Sequence, residues 1–257
     1  MTDKSKIANF VEMLRQPITI DILNGNVNTS TSMMDTSNVK NPIPVICIIN
    51  GAGGNGKDTF VEAVGKSVAA FNISSIDTVK KIAGLMANST ASMEGTMLVK
   101  PNKEIGEKSN KYRKFLSDLK RVWTEYCDGP TYDMLSQVSN LIKRQAQGME
   151  HHDIIFLHIR EPENIVKMKE LVDQLYGAIC ITVLVTGLVD PSQYDNESDR
   201  NVENYAYDLT VVNKPGDLQG FKERAALFGR RIAAINRAIG ISMPDVSDGG
   251  TDKPAGE

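Results

Sequence analysis

One stretch constrains this chain more than any other: residues 45–59, reading VICIINGAGGNGKDT. Val45, Ile46, Cys47, Ile48 and Ile49 leave no position for a polar face, so the run predicts a strand buried on both sides. Gly51, Gly53, Gly54 and Gly56 follow, with Asn55 among them and Lys57 directly after, at the spacing G-x-x-x-x-G-K. Glycines let the backbone wrap so that successive N–H groups point inward at phosphate oxygens. Lys57 adds a positive charge on a flexible stem, and the helix expected to start there turns its N-terminal dipole to the same anion. The pattern ordinarily continues with Ser or Thr, whose hydroxyl holds magnesium. Here Asp58 takes that place and Thr59 comes one later. A carboxylate there can hold magnesium, directly or through water, or act only as a favourable first-turn acid. What separates a phosphate loop from a ligand-free glycine turn is a buried strand before it and an amphipathic helix after it. Phe60, Val61, Val64 and Val68 supply that helix, expected over 57–70.

The rest of the chain alternates strands with helices. Strands are expected over 71–76, 154–157, 178–185 and 209–212 from short apolar runs. Helices are expected on apolar spacing around Val79, Ile82, Ala83 and Met86, then across 103–147, around Ile165–Met168–Leu171–Val172–Leu175, and over 221–239. The 103–147 region breaks at Asp128-Gly-Pro130. Its first half shows one apolar face (Tyr112, Phe115, Leu116, Leu119, Val122, Trp123) and crowds Lys111, Arg113, Lys114, Lys120 and Arg121. Residues 88–101 read as a loop and 187–207 as a mobile, lid-like polar segment. Residues 1–43 read as a flexible extension, with a short amphipathic helix near residues 6–15 and an Asn/Ser/Thr-rich linker over 24–41. The tail 246–257 reads as disordered. Domain organisation is thus one domain over 44–245 with two peripheral ends.

Bulk properties exclude several classes. A net charge of -3 makes no electrostatic case for nucleic acid. Three widely spaced cysteines offer neither a disulfide framework nor metal spacing, which favours a reducing, cytoplasmic setting. No apolar run approaches a membrane span, and no secretory signal is expected. His151 and His152 read as surface histidines, since no further ligand stands at metal spacing.

Buried strands alternating with helices argue for an α/β fold with a mostly parallel sheet, in which ligands bind at the carboxyl ends of the strands. Those ends gather Gly51–Thr59, His158–Glu163 and residues 186–207. The set suits phosphoryl transfer, where a protein mainly holds phosphates in line and neutralises developing charge. Lys57 and the loop amides would hold the donor phosphates, and Asp58 or Thr59 the magnesium. Arg160 would meet the transferred phosphate, or form an ordinary ion pair with Glu161 or Glu163. Glu161 and Glu163 could position magnesium-bound water. Arg113, Lys120 or Arg121 could hold an acceptor phosphate, or form a solvated basic face. Arg200 could close over the donor as a lid residue.

These residues also carry a resemblance. GAGGNGKDT is similar to the G-K-D-T loop of phage deoxynucleoside monophosphate kinases, and a related G-K-D loop occurs in animal-type phosphomevalonate kinases. IFLHIREPENI resembles a strand of the phage enzymes that ends in Asp-Val-Arg, with Arg160 at the arginine and His158 in place of the aspartate. YDLTVVNKPGDLQGF resembles their last strand and turn, where Asn213, Gly216 and Leu218 fit. RKFLSDLKRVW, with Arg113, resembles an acceptor-binding stretch. Residues 45–228 also look like uncharacterised bacterial and phage ATP-binding proteins. The resemblance implies a three-layer P-loop NTPase fold of the nucleoside-monophosphate-kinase kind, with a helical acceptor-binding insertion. It implies ATP and magnesium as cofactors and a nucleoside monophosphate as acceptor. It leaves open a homodimer, and a nucleotide-binding protein that has lost catalysis.

Overall fold

The computed structural model describes residues 4–15, 42–93, 110–189 and 201–239. Within them lie a five-stranded sheet and seven α-helices. In chain order these are α1 (Lys4–Arg15), β1 (Val45–Asn50), α2 (Lys57–Gly65), β2 (Ala70–Ser74), α3 (Asp77–Met93), α4 (Asn110–Cys127), α5 (Gly129–Ala146), β3 (Ile154–His158), α6 (Pro162–Tyr176), β4 (Cys180–Thr186), β5 (Leu209–Val212) and α7 (Leu218–Ile239). The sheet order is β2-β3-β1-β4-β5, and every pairing is parallel.

Strand β1 sits in the middle because every one of its residues can be buried. Val45, Cys47 and Ile49 point to one face, where α1, α2 and α7 bring Phe10, Phe60, Val64, Phe221 and Ile232. Ile46 and Ile48 point to the other, where α5 and α6 bring Met134, Val138, Ile142, Ile165 and Met168. The result is three layers, helix on sheet on helix. Each large side chain buried in this way contributes on the order of 2 kcal/mol. Phe60 ties the layers at one point, with ring centroids 6.4 Å from Phe156, 5.9 Å from Phe221 and 5.3 Å from Phe228. A smaller cluster of Val79, Ala83 and Leu116 joins α3 to α4.

The chain leaves β1 for the edge strand β2, returns to place β3 beside β1, and then crosses to β4 on the other side. At that reversal the loops after neighbouring strands diverge and open a crevice at their carboxyl ends. The loop after β1 lies there.

Several expectations are corrected. Residues 4–15 are not a flexible extension: Phe10, Val11 and Leu14 are core residues, and Arg231 donates to the Leu14 carbonyl at 2.7 Å. Helical spacing on α1 was a docking face. Helix α3 runs on to Met93, past the expected loop boundary at residue 88. Helix α2 stops at Gly65, and the backbone bonds of Ser67 and Val68 to Val64 close its end. The break expected at Asp128-Gly-Pro130 is present, by contrast: two helices meet at Asp128, which takes a left-handed φ of 51°. On α4, Phe115 and Val122 belong to the expected apolar face yet are exposed, whereas Leu116 is buried. The linker 24–41 and the tail 246–257 lie outside the described residues. Among the described residues no helix is long and apolar enough to cross a membrane.

Candidate functional site

Gly51 leaves β1 at φ 147°, and a Cβ on it would sit 2.2 Å from the Val185 carbonyl oxygen. Gly56 has φ 92° and occupies the N-cap of α2; a Cβ there would sit 2.5 Å from Nδ2 of Asn213. Both glycines are therefore demanded by geometry. Between them the backbone turns tightly, with the Asn55 N–H donating to the Ala52 carbonyl at 3.3 Å. The turn delivers Lys57 to the first residue of α2, where helix N–H groups lack intrahelical acceptors and the dipole favours an anion. Lys57 Nζ curls back onto the carbonyls of Gly51 and Ala52, 3.1 Å from the latter. Asp58 is exposed and Thr59 half-buried on the first turn, and Gly53 and Gly54 are exposed at the loop's tip.

Asn55 does not face the crevice. Its side chain is buried, and its Oδ1 accepts from the N–H groups of Leu188 and Val189 at 3.2 and 2.9 Å. Asn213 Nδ2 donates to the Asn55 carbonyl at 3.1 Å. The loop is thus anchored to the ends of β4 and β5, and Asn55 serves as a staple, with its Nδ2 buried and unpartnered.

Strand β3 brings His158 and Arg160 to the same end of the sheet. His158 lies within the electrostatic reach of Lys57, Asp58, Asp77 and Arg160. Burial pushes its pKa down, and Lys57 and Arg160 act in the same direction against the two carboxylates. It is accordingly a neutral imidazole at neutral pH, and its Nε2 is buried without a partner. Arg160 is half-buried, and its carbonyl accepts from Asn50 Nδ2 at 3.0 Å.

The helical region also reaches this end of the sheet through Lys120. Lys120 Nζ lies 2.8 and 3.0 Å from the two carboxylate oxygens of Glu161. Burial alone would raise the Glu161 pKa, but the charge and hydrogen bond of Lys120, together with hydrogen bonds from the backbone and Asn164, outweigh it and hold the carboxyl below its usual range. Two residues expected in different roles, acceptor and metal, are therefore each other's partners. Arg121 pairs instead with Glu125 on the exposed side of α4 at 2.9 Å, and Arg113 is exposed on the same helix. Glu163 is exposed in the first turn of α6. Arg200 lies outside the described residues. Residues 201–204 form a short 3-10 turn whose Val202 is buried, so this part of the expected lid segment packs on the domain.

Asn50 and Tyr207 escaped the reading of the sequence. Asn50 ends β1 fully buried, with Oδ1 accepting from Gly51 N–H at 2.8 Å and Nδ2 donating to the Tyr207 hydroxyl at 2.8 Å. Tyr207 donates to the Val202 carbonyl at 2.9 Å. Burial pushes its phenol up to about 12, against a smaller opposing effect of the Asn50 hydrogen bond. The one available signal was an asparagine closing an otherwise apolar run.

The residues fit a phosphate group: a loop that a Cβ would obstruct, a helix N-terminus and a lysine converge. Among the described residues no cluster of three or more His, Cys, Asp or Glu side chains is placed to hold a metal. Magnesium needs none, since it commonly takes one or two protein oxygens together with phosphates and water, and Asp58 and Thr59 are the oxygens at hand. A cavity of about 410 Å³ lined by Lys6, Ile7, Asp173, Gln174 and Gly177–Ile179 lies elsewhere, before the start of β4 at the opposite end of the strands. The glycine loop, by contrast, lies open at the surface, with Gly53 and Gly54 exposed. No protein-family model matches the chain, and no curated protein sequence does.

Proposed function

We propose that this chain is an ATP-dependent phosphotransferase with the P-loop fold, acting as a (deoxy)nucleoside monophosphate kinase. One observation carries the reading: a G-x-x-x-x-G-K loop, with three glycines held at positive φ, leaves the central strand of a parallel sheet and caps α2 at Gly56, directly before Lys57. Lys57 and the loop amides hold the donor phosphates. Asp58 and Thr59 hold magnesium, which when bound neutralises phosphate charge. Arg160, beside the loop, meets the phosphate in flight. Lys120 stands ready for an acceptor phosphate, which has to compete with Glu161 for it.

A second reading is a nucleotide-binding protein without transfer chemistry. It is favoured by the end of β3, where a neutral histidine stands instead of an acid and Glu161 is already engaged by Lys120. One assay separates the two. The protein is mixed with ATP, magnesium and, in turn, nucleoside monophosphates, deoxynucleoside monophosphates and phosphomevalonate, and ADP is followed. Acceptor-dependent ADP formation, abolished by Lys57→Ala, is the expected result. ATP binding with no turnover on any acceptor would instead carry the second reading.

A further inference from the structure

The Asn50 amide has its hydrogen-bonding capacity committed in three directions, to three separate parts of the chain. Its orientation is decided by its partners. Gly51 N–H can only donate, so Oδ1 faces it, and the Arg160 carbonyl can only accept, so Nδ2 faces that. The second Nδ2 proton then goes to the Tyr207 hydroxyl, which in turn gives its own proton to the Val202 carbonyl. A chain of hydrogen bonds therefore runs from the 201–207 segment, through one side chain, to the first residue of the glycine loop and to the Arg160 backbone. Tyr205 stacks edge-on against Tyr207 at 5.0 Å and stiffens its ring. Gly51 has no slack with which to absorb a movement, because the Val185 backbone lies against it.

We propose that Tyr207 is a positioning residue: through the Asn50 amide it sets the placement of Gly51 and of Arg160, so that the segment before β5 and the phosphate loop move as one unit. The consequence for nucleotide binding rests on the phosphate-site reading above; the mechanical coupling does not. When the segment is packed as seen, the loop is held at the conformation in which its amides face an anion. When Tyr207 withdraws, Asn50 loses one partner, and the start of the loop and the Arg160 backbone are released together.

Tyr207→Phe tests this, with Asn204→Ala as control, since Asn204 bonds only Asn201 on the exposed side of the same segment among the contacts described. Two readouts are used: amide hydrogen exchange in the ligand-free protein, and affinity for ATP with magnesium. Tyr207→Phe is expected to speed exchange of the Gly51 amide and of the amides around Arg160 about fivefold, the effect of one lost hydrogen bond. ATP affinity should fall by a similar factor, and Asn204→Ala should do neither. Unchanged exchange at Gly51 and Arg160, or a speeding spread evenly over the domain together with a lowered melting temperature, overturns the coupling. If the wild-type protein binds no ATP, the phosphate-site reading fails and the exchange measurement alone decides the coupling.

Discussion

Replacing Gly51 with alanine isolates the geometry on which the site depends. The new Cβ has two problems. At φ 147° an L-residue is strained, which costs about 1–3 kcal/mol. It would also lie 2.2 Å from the Val185 carbonyl oxygen, on a residue held in the sheet by its pairing with Val211 of β5. Relief requires parting two paired backbones, and overpacking of this kind costs about 1–3 kcal/mol. The sum is about 2–6 kcal/mol, or a fall in melting temperature of roughly 4–24 °C for a chain of this size. Two other glycines calibrate the measurement. Gly216 has φ 79° but open space around a Cβ, so Gly216→Ala costs strain alone, about 1 kcal/mol. Gly65, at the end of α2, has neither obstacle, and Gly65→Ala gains about 0.5 kcal/mol. The assay is thermal and urea unfolding of the three variants beside the wild type. The expected order is Gly65→Ala above wild type, then Gly216→Ala, then Gly51→Ala well below. A Gly51→Ala protein as stable as Gly216→Ala would refute the close approach of the loop to β4.

Further predictions concern ionisable groups and thiols. Because Glu161 has a lowered pKa in the folded state, its contribution is present above the ordinary carboxylate range and is lost as pH falls through the folded value. Lys120→Met should flatten that part of the stability–pH profile and cost about 1–3 kcal/mol at neutral pH, measured by urea unfolding. His158 also has a lowered pKa, so the unfolded chain binds its proton first; stability is full above the ordinary histidine range and declines as pH falls below it. His158→Gln should remove that decline, and a profile identical to wild type would show that the imidazole is not buried. Of the three thiols, only Cys127 is exposed, and burial pushes Cys47 and Cys180 up, the latter to about 12. A thiol reagent should label one cysteine per native chain and three after unfolding.

What could be read from the sequence were features that repeat locally. The apolar runs around Ile48, Phe156 and Ile181 announced buried parallel strands, since only a two-sided burial tolerates them. The glycines announced the loop through the conformations that other residues resist. What could not be read were contacts between distant residues. Asn50 and Tyr207 lie 157 positions apart, and neither stands in a pattern that names the other. Lys120 and Glu161 each looked available because a charge run does not show which member has a partner. Phe10 and Leu14 showed helical spacing, but whether such a stripe meets the core or a partner is decided by the rest of the fold.

The proposed kinase activity depends on Lys57 and its loop binding the phosphates of ATP. Titration calorimetry of ATP with magnesium, on wild type and on Lys57→Ala, tests it most directly, provided both proteins show the same unfolding profile. Saturable binding at one site is expected, weakened about ten- to a hundredfold by the substitution, the effect of losing charge-assisted hydrogen bonds. Absence of binding to the wild type, or equal affinity in both proteins, would contradict it.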